Sequence, residues 1–386
     1  MDHTEQRDVA IIGGGQSGLA AGAELARRGI DAMILEEHDR IGDGWRERWD
    51  SLRLYSPSQY DGLPGMPFPA PRNTFPSARE MAAYLEAYAA AQRLEVRTGV
   101  RVTALDGLGA DGAANPSAGQ VARFQLSAGS RVLEARAVIV AGGAFRHPKV
   151  PSFASELDPG IVQLHAGGYR GPAQLPDGPV LVVGLSHSGS DIAWELARAG
   201  RRTHLSGRAH GQLPFPIESR RGLMVAPLIA FAEVHVMSTG TPVGRRLRRQ
   251  FQAGHAVAPL VRHRVADLIA AGVEHHPVRT VGATGGRPLL EDGTLLDVAA
   301  VVWCTGFEPD YSWIHLPVTD AGGWPALDRG ASPVPGLFFL GIPFQSNAAS
   351  MLVHGAGRDA RAVVRRVARH LEGAPARGMT AAAASS

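Results

Sequence analysis

Two stretches of this chain, Val9 to Glu36 and Val180 to Arg208, carry the same internal spacing, and that repetition constrains the fold more than any other feature. The first reads VAIIGGGQSG, LAAGAELARRG, IDAMILE; the second reads VLVVGLSHSG, SDIAWELARAG, RRTHLSGR. Each opens with a short apolar run of the kind that forms a buried parallel strand. Gly13, Gly15 and Gly18 follow in the first copy, with Gly184, Ser186 and Gly189 at the matching positions of the second. A helix rich in alanine and leucine comes next, closed by Gly29 or Gly200, 16 residues after the opening glycine in both copies. A second apolar run ends 23 residues after that glycine, at Glu36 in one copy and Gly207 in the other.

A strand–turn–helix–strand unit with this glycine pattern is built to hold a dinucleotide. The first glycine permits the tight turn, the second admits the pyrophosphate close to the backbone, and the third lets helix and strand pack together. The helix N-terminus then offers free N–H groups to the phosphates. A lone G-x-G-x-x-G is weak evidence, but one set between strand and helix with an acid 23 residues on is strong. Two sites in one chain follow, with different preferences. Glu36 can accept hydrogen bonds from an adenosine ribose. The second copy lacks the acid and places Ser206 and Arg208 around Gly207, which suits a ribose 2′-phosphate and therefore NADPH over NADH. Arg208 as a plain surface arginine is the competing reading. Ser186 in place of a glycine keeps the second backbone farther from its pyrophosphate.

At 386 residues the chain has room for two ordinary domains. Its 45% hydrophobic and 19% charged residues are those of a globular protein. The basic residues are almost all arginine, Lys149 being the only lysine, and the net charge of +3 does not point to nucleic acid. The arginines from Arg245 to Arg249 read as a solvated helix face. The longest apolar candidate for a membrane span, Leu223 to Met237, is interrupted by Pro227 and Glu233, so no span and a cytoplasmic location are expected. Cys304 is the single cysteine, which excludes an intrachain disulfide and any C-x-x-C redox pair.

Between the repeats, Gly42, Gly44 and Trp45 suggest a turn passing close to a bound cofactor. Tyr55 to Pro76 is a long aromatic and proline-rich loop, of the length that is usually functional. An amphipathic helix is expected over Ala78 to Gln92, strands over Leu94 to Leu105 and Val121 to Leu133 around a polar turn, and a buried strand over Val138 to Ala141. His147 to Pro179, rich in proline and glycine, reads as a linker. Residues 211–264 read as mainly helical: a substrate-facing insertion, a dimer surface or plain packing, with packing favoured. Leu289 to Leu296 carries a hairpin signature at Asp292-Gly293. Asp297 to Gly306 mirrors the strand at Val138 and should lead back to the first domain. Gly336 to Gly341 reads as another buried strand and Ala356 to Glu372 as a helix. The tail, 374–386, is expected to be mobile.

The motifs GGGQSG, IGDGW, WDSLRLYSP, QLHAGGYR, VVGLSHSG, VVWCTGF and GLFFLG resemble the flavin-containing monooxygenases, in particular bacterial members, over nearly the whole chain. The resemblance implies an α/β fold of two Rossmann-like dinucleotide-binding domains, the NADPH domain inserted into the FAD domain. Residues 1–150 and 297–373 would hold FAD, and 151–296 would hold NADPH. It implies an enzyme that uses NADPH and dioxygen to oxygenate a nitrogen, sulfur or metalloid centre of a small molecule through a flavin peroxide adduct, with a homodimer as a candidate assembly. Ser17, Gly44, Trp45, Val102, Ser188, Thr305 and Gly306 join the glycine-loop residues as cofactor contacts. Tyr55 and Asn347 are the candidate catalytic residues, with Trp45, Gln59 and Gln345 also placed near the ring. Tyr55 as a core tyrosine and Asn347 as a turn cap are the bland alternatives. His165 and His354 read as structural, and no histidine set has metal-ligand spacing. Three positions depart from the family pattern: the Phe of the linker fingerprint is missing before Gly160 and His165, Tyr55 stands where eukaryotic members have Asn, and Cys304 replaces an alanine. A disulfide reductase would need a second cysteine. An NADPH oxidase without oxygen transfer remains the alternative reading.

Overall fold

The computed structural model describes residues 5–112, 114, 117–144, 146–254 and 258–373. The tail expected to be mobile lies outside them. The first repeat folds as β1 (Glu5–Ile12), α1 (Gln16–Ala26) and β2 (Ala32–Leu35). A short helix α2 (Asp43–Arg46) and the long loop lead to α3 (Ala78–Ala91). The α3 helix starts at a capping box between Ser77 and Glu80, and buries Met81, Tyr84, Leu85 and Tyr88, the stripe its periodicity marks. Then come β3 (Val96–Arg97), β4 (Ala104–Leu108), β5 (Arg123–Ala128) and β6 (Arg131–Val140).

Two expected strands are corrected here. Leu94 to Leu105 is not one strand: after β3 the chain turns at Gly99, where Val100 N–H donates to Glu36 O, and rejoins the sheet at β4. Val121 to Leu133 is instead the arm of a hairpin, β5 against β6, and β6 runs on through Val138 as one ten-residue strand.

The segment expected to be a linker holds β7 (His147–Pro148) and β8 (Val162–His165). Its prolines flank β8 without interrupting it, and as an edge strand β8 needs only one row of backbone partners. The second repeat folds as β9 (Val180–Val183), α4 (His187–Arg198) and β10 (Thr203–Ser206). The insertion contributes α5 (Arg220–Phe231) and α6 (Pro242–Gln252), after which α7 (Val265–Ala270), β11 (Val273–His276), β12 (Thr280–Thr284) and β13 (Arg287–Leu290) complete the lobe. The turn at Asp292-Gly293 forms, but the longer hairpin is β12 against β13, reversed at Gly285-Gly286.

The chain closes with β14 (Ala300–Trp303), β15 (Phe307–Glu308), β16 (Leu337–Phe339) and α8 (Val353–Gly373). The first sheet has the order β3-β2-β1-β6-β5-β4, with β16 also parallel to β6; the second has the order β11-β10-β9-β14-β8 and is parallel throughout. The runs β3-β2-β1-β6 and β11-β10-β9-β14 are therefore equivalent. Strand β14 is a central strand of the second sheet, so the return to the first lobe falls after Gly306 and not at residue 297. The two crossings between lobes, β7 and β15, pair antiparallel with each other.

The insertion meets the packing expectation only in part. Among its described residues Ile217 and Ala226 are buried with Phe75, and Leu260 against the core of the second lobe, while Met224, Leu228 and Phe231 of α5 are 80%, 67% and 56% exposed. No described helix is long and apolar enough to cross a membrane.

Candidate functional site: two glycine-loop cradles and the seam between them

The opening glycine of each repeat lies over the end of the sheet strand beside it. A Cβ on Gly13 would stand 2.5 Å from Ala141 O, and one on Gly184 would stand 2.5 Å from Cys304 O. The third glycine is just as constrained, because a Cβ would lie 1.9 Å from Gly13 O at Gly18 and 1.8 Å from Gly184 O at Gly189. The middle position is different. A Cβ on Gly15 would meet nothing within 4 Å, and Ser186 occupies the same place without capping its helix.

Both α1 and α4 begin with no side-chain cap, whereas α3, α5 and α6 start from Ser77, Ser219 and Thr241 caps. Uncapped first-turn N–H groups facing open space form an anion site. The residues present therefore fit two pyrophosphates: Gly13, Gly15, Ser17 and Gly18 for one, Gly184, Ser186, Ser188 and Gly189 for the other.

The acid position separates the two cradles. Glu36 is buried, with Oε2 accepting from Gly14 N–H at 2.5 Å and Oε1 from His38 N–H at 3.0 Å. Its counterpart Gly207 has φ +138°, and a Cβ there would lie 2.8 Å from Leu185 N. No carboxylate can stand at that position. Around it, Ser206 Oγ is 2.7 Å from Thr280 Oγ1, and Arg208 reaches Glu291 at 2.9 Å on the surface.

The other expected contacts are spread along the same edge. Gly44 and Trp45 lie in α2, and Trp45 packs against the cores of both lobes. Val102 packs under the first sheet beyond the Gly99 turn. Thr305 Oγ1 donates to Lys149 O, and Gly306 O accepts from Lys149 N–H at 3.0 Å and from His165 Nε2 at 2.9 Å. His165 Nδ1 accepts from Gly167 N–H, and burial lowers the ring's pKa, so a neutral His165 ties β8 to the crossing. A narrow cleft lined by Arg146, His147, Tyr311, Trp313, Trp324 and Ile342 opens beside β6.

The candidate catalytic residues already have partners. Tyr55 Oη donates to Asp191 Oδ2 at 2.8 Å, its ring lies 4.6 Å from that of His187 at the start of α4, and Arg262 sits over its face at 4.7 Å. Asp191 Oδ2 also accepts from Arg262 at 2.9 Å, and Arg262 reaches Glu218 and Leu54 O. Burial pushes the Asp191 carboxyl up and Arg262 opposes it, while burial and then Asp191 hold the Tyr55 hydroxyl protonated. This network joins the first lobe, α4 and the insertion. Asn347 Oδ1 accepts from Ala349 N–H at 2.9 Å, and Nδ2 donates to Ser346 Oγ, so Asn347 caps the turn before α8. Gln59 pairs at both ends with Asn73.

Sequence reasoning missed Asp191, Arg262 and Asp61. Asp191 had a signal, a charged residue two places after Gly189 on the face of α4 that packs inward. Asp61 is fully buried, accepts from Ser56 Oγ, and is pushed up to about 7 by burial, with Oδ2 left without a partner. His354 Nε2 lies 3.1 Å from Glu233 of the insertion without making a hydrogen bond to it. Cys304 is half-buried beside Gly184, and desolvation raises its thiol pKa far above the ordinary value, which makes it inert.

With this geometry established, comparison with known proteins gives a consistent picture. Residues 10–229 match the family model described as pyridine nucleotide-disulphide oxidoreductase. The CzcO-like oxidoreductase of Geobacillus kaustophilus is 34% identical over 94% of this chain and 99% of its own. The flavin-containing monooxygenase from Stenotrophomonas maltophilia superposes with a TM-score of 0.73 at 28% identity, covering 95% of this chain and 99% of its own. Rice indole-3-pyruvate monooxygenase YUCCA1 is 38% identical over 50% of this chain and 46% of its own. The chain belongs to the pyridine nucleotide-disulphide oxidoreductase family and is a flavin-dependent oxidoreductase of the flavin-containing monooxygenase type.

Proposed function

Taking that family membership as the premise, we propose that this protein oxygenates a soft heteroatom, a nitrogen, sulfur or trivalent metalloid, of a small molecule at the expense of NADPH and dioxygen. The observation that carries the reading is the pair of uncapped helix N-termini, the first of them facing open space at Gly15, in a chain with a single, inert thiol. A dithiol-based reduction has no second cysteine to use. When bound, FAD supplies the redox chemistry, taking a hydride from NADPH and passing electrons to dioxygen.

The chain's own residues bind, orient and exclude water. The first-turn N–H groups of α1 and the Gly13–Gly18 loop would hold the FAD pyrophosphate, and Glu36, whose carboxylate Gly14 and His38 orient, would hold its ribose. Trp45, Gly44, Val102, Thr305 and Gly306 border the cofactor along the strand ends. Gly184 to Gly189 hold the NADPH pyrophosphate, with Arg208 turning from Glu291 to the 2′-phosphate; an exposed pair of this kind contributes no more than about 1 kcal/mol, so the exchange is easy. Tyr55, fixed by Asp191 and Arg262, is a positioning residue that keeps the start of α4 against the first lobe. A soft nucleophile needs no general base to ionise it, which accounts for the lack of an aligned Ser–His–Asp or paired-carboxylate set among the described residues.

The test is stoichiometric. Amines, thioethers and trivalent arsenicals are offered in turn while NADPH, product and hydrogen peroxide are measured. One class should give one oxygenated product per NADPH. Hydrogen peroxide equal to NADPH with every substrate would assign the chain as an NADPH oxidase instead.

A further inference from the structure

Helix α6 carries arginines that no acidic side chain among the described residues pairs with. Arg245, Arg248 and Arg249 stand at i, i+3 and i+4, which puts them on one helical face. Opposite them, the turn at 327–330 of the first lobe presents Arg329, whose φ of +46° is rare for a residue with a side chain. With Asp328 and Gln345 these arginines line a cavity of about 490 Å³.

The charges do not balance. Asp328 is already bound to Arg366 at 2.9 Å, and Arg245 spends one N–H on Gly240 O. The side chains of Arg248, which is half-buried, and of Arg249 and Arg329 have neither a hydrogen bond nor an ion pair among the described residues. The wall also carries an unmet polar group. Gln345 is 2% exposed, its Oε1 has no partner, and it follows Phe344, a second residue held at positive φ (+54°). Four guanidinium groups converging on one space repel one another unless an anion lies between them.

We propose that this cavity is a binding site for a small polyanion, a phosphate ester or a polycarboxylate, that bridges α6 and the 327–330 turn. The site is an open cleft whose volume falls within the range of ordinary ligand pockets, so a ligand that carries several anionic groups on an organic frame fits it. Planar guanidinium groups suit bidentate oxyanions of either kind. No glycine-loop residue of either cradle lines the site, nor does Arg208, although Gln345, expected near the flavin ring, does. Three arginines come from the insertion and Arg329 and Gln345 from the first lobe, so a bound ligand ties the two together.

The test uses the FAD-loaded protein, with citrate as the polycarboxylate probe and fructose 1,6-bisphosphate as the phosphate ester, read by calorimetry and by melting temperature. At least one probe should bind with one-to-one stoichiometry and raise the Tm, and which one does so identifies the anion type. Arg248→Ala combined with Arg329→Ala should weaken that binding at least ten-fold. Arg246→Ala, which removes the same charge from the exposed face away from the cavity, should leave binding within two-fold, as should Arg208→Ala. The proposal is overturned if neither probe binds at millimolar concentration. It is equally overturned if Arg246→Ala costs as much as Arg248→Ala, or if Arg208→Ala abolishes binding.

Discussion

The two cradles are built on one hydrogen-bond plan, and they part most sharply at the acid position. Gly13 N–H donates to Leu35 O at 2.8 Å as Gly184 N–H does to Ser206 O, and Ala141 N–H donates to Ile12 O as Cys304 N–H does to Val183 O. Glu36 N–H and Gly207 N–H likewise reach the next strand, at Arg97 O and His276 O. The backbone proposed to grip a pyrophosphate is thus common to both. What differs is the side chain at the ribose: a buried carboxylate in one, and in the other a glycine with Arg208 beside it. Cofactor choice is a side-chain matter laid over a shared main-chain scaffold, and that division can be tested.

The largest effect is expected where the scaffold itself is broken. Gly18→Ala and Gly189→Ala each drive a methyl into a carbonyl oxygen of the preceding turn, under 2 Å away before relaxation. Relief requires helix and strand to separate, at about 1–3 kcal/mol or more. Gly18→Ala should purify without flavin colour. Gly189→Ala should keep its flavin, measured by absorbance at the flavin band, yet be reduced by NADPH at least a hundred-fold more slowly while dithionite still reduces it. Loss of flavin from both variants would show that the two cradles are not independent.

Next comes the position at which they part. Restoring a side chain by Gly207→Ala places Cβ against Leu185 N at φ +138°, and strain of about 1–3 kcal/mol should lower the Tm by several degrees and raise the KM for NADPH. A simple exchange of preference to NADH by Gly207→Glu should therefore fail. If Gly207→Glu folded at wild-type Tm and preferred NADH, the second cradle would be as permissive as the first.

That Gly207 excludes an acid was not legible in the sequence, although the missing acid was. Glycine spacing encodes a local backbone requirement, so both cradles and the matched helices could be placed from residues alone. What depends on partners distant along the chain could not. Strand β8 was hidden in a proline-rich segment because a four-residue edge strand shows no periodicity, and the sheet to which β14 belongs is set by β8 and β9, more than 100 residues away. Tyr55 was legible as a residue near the site, but its bond to Asp191, 136 residues on, was not. The exposure of Met224, Leu228 and Phe231 was not legible either, because apolar spacing cannot say whether anything covers it.

A smaller effect is expected from the charged pair that marks the second cradle. Arg208→Ala should raise the KM for NADPH about ten-fold, ~1.4 kcal/mol, and leave NADH unchanged. Glu291→Ala, which removes the competing carboxylate from an exposed pair, should lower the KM for NADPH by less than about three-fold. Steady-state kinetics with both nucleotides decides it. If Arg208→Ala altered neither KM, reading of the 2′-phosphate would have to lie with other residues, and the missing acid alone would separate the sites.

The smallest effect is expected at the middle position, and it is the most informative about what the glycine is for. Gly15 has an ordinary extended backbone, φ −76°, and a Cβ there touches nothing. Neither strain nor packing in the folded chain requires glycine at 15, in contrast to 13 and 18. Gly15→Ala should therefore change the Tm of the flavin-free protein by no more than about 0.5 kcal/mol equivalent. The open space in front of it is where the pyrophosphate lies under the proposed function, so the same methyl should weaken FAD binding a few-fold. Ser186→Gly should make the reciprocal change, tightening NADPH slightly without altering stability. Calorimetric titration of apoprotein with FAD, set beside its melting curve, separates the two readouts. A stability loss at Gly15 as large as that at Gly18 would mean the middle glycine serves the fold, and the space before it would no longer mark where a phosphate sits.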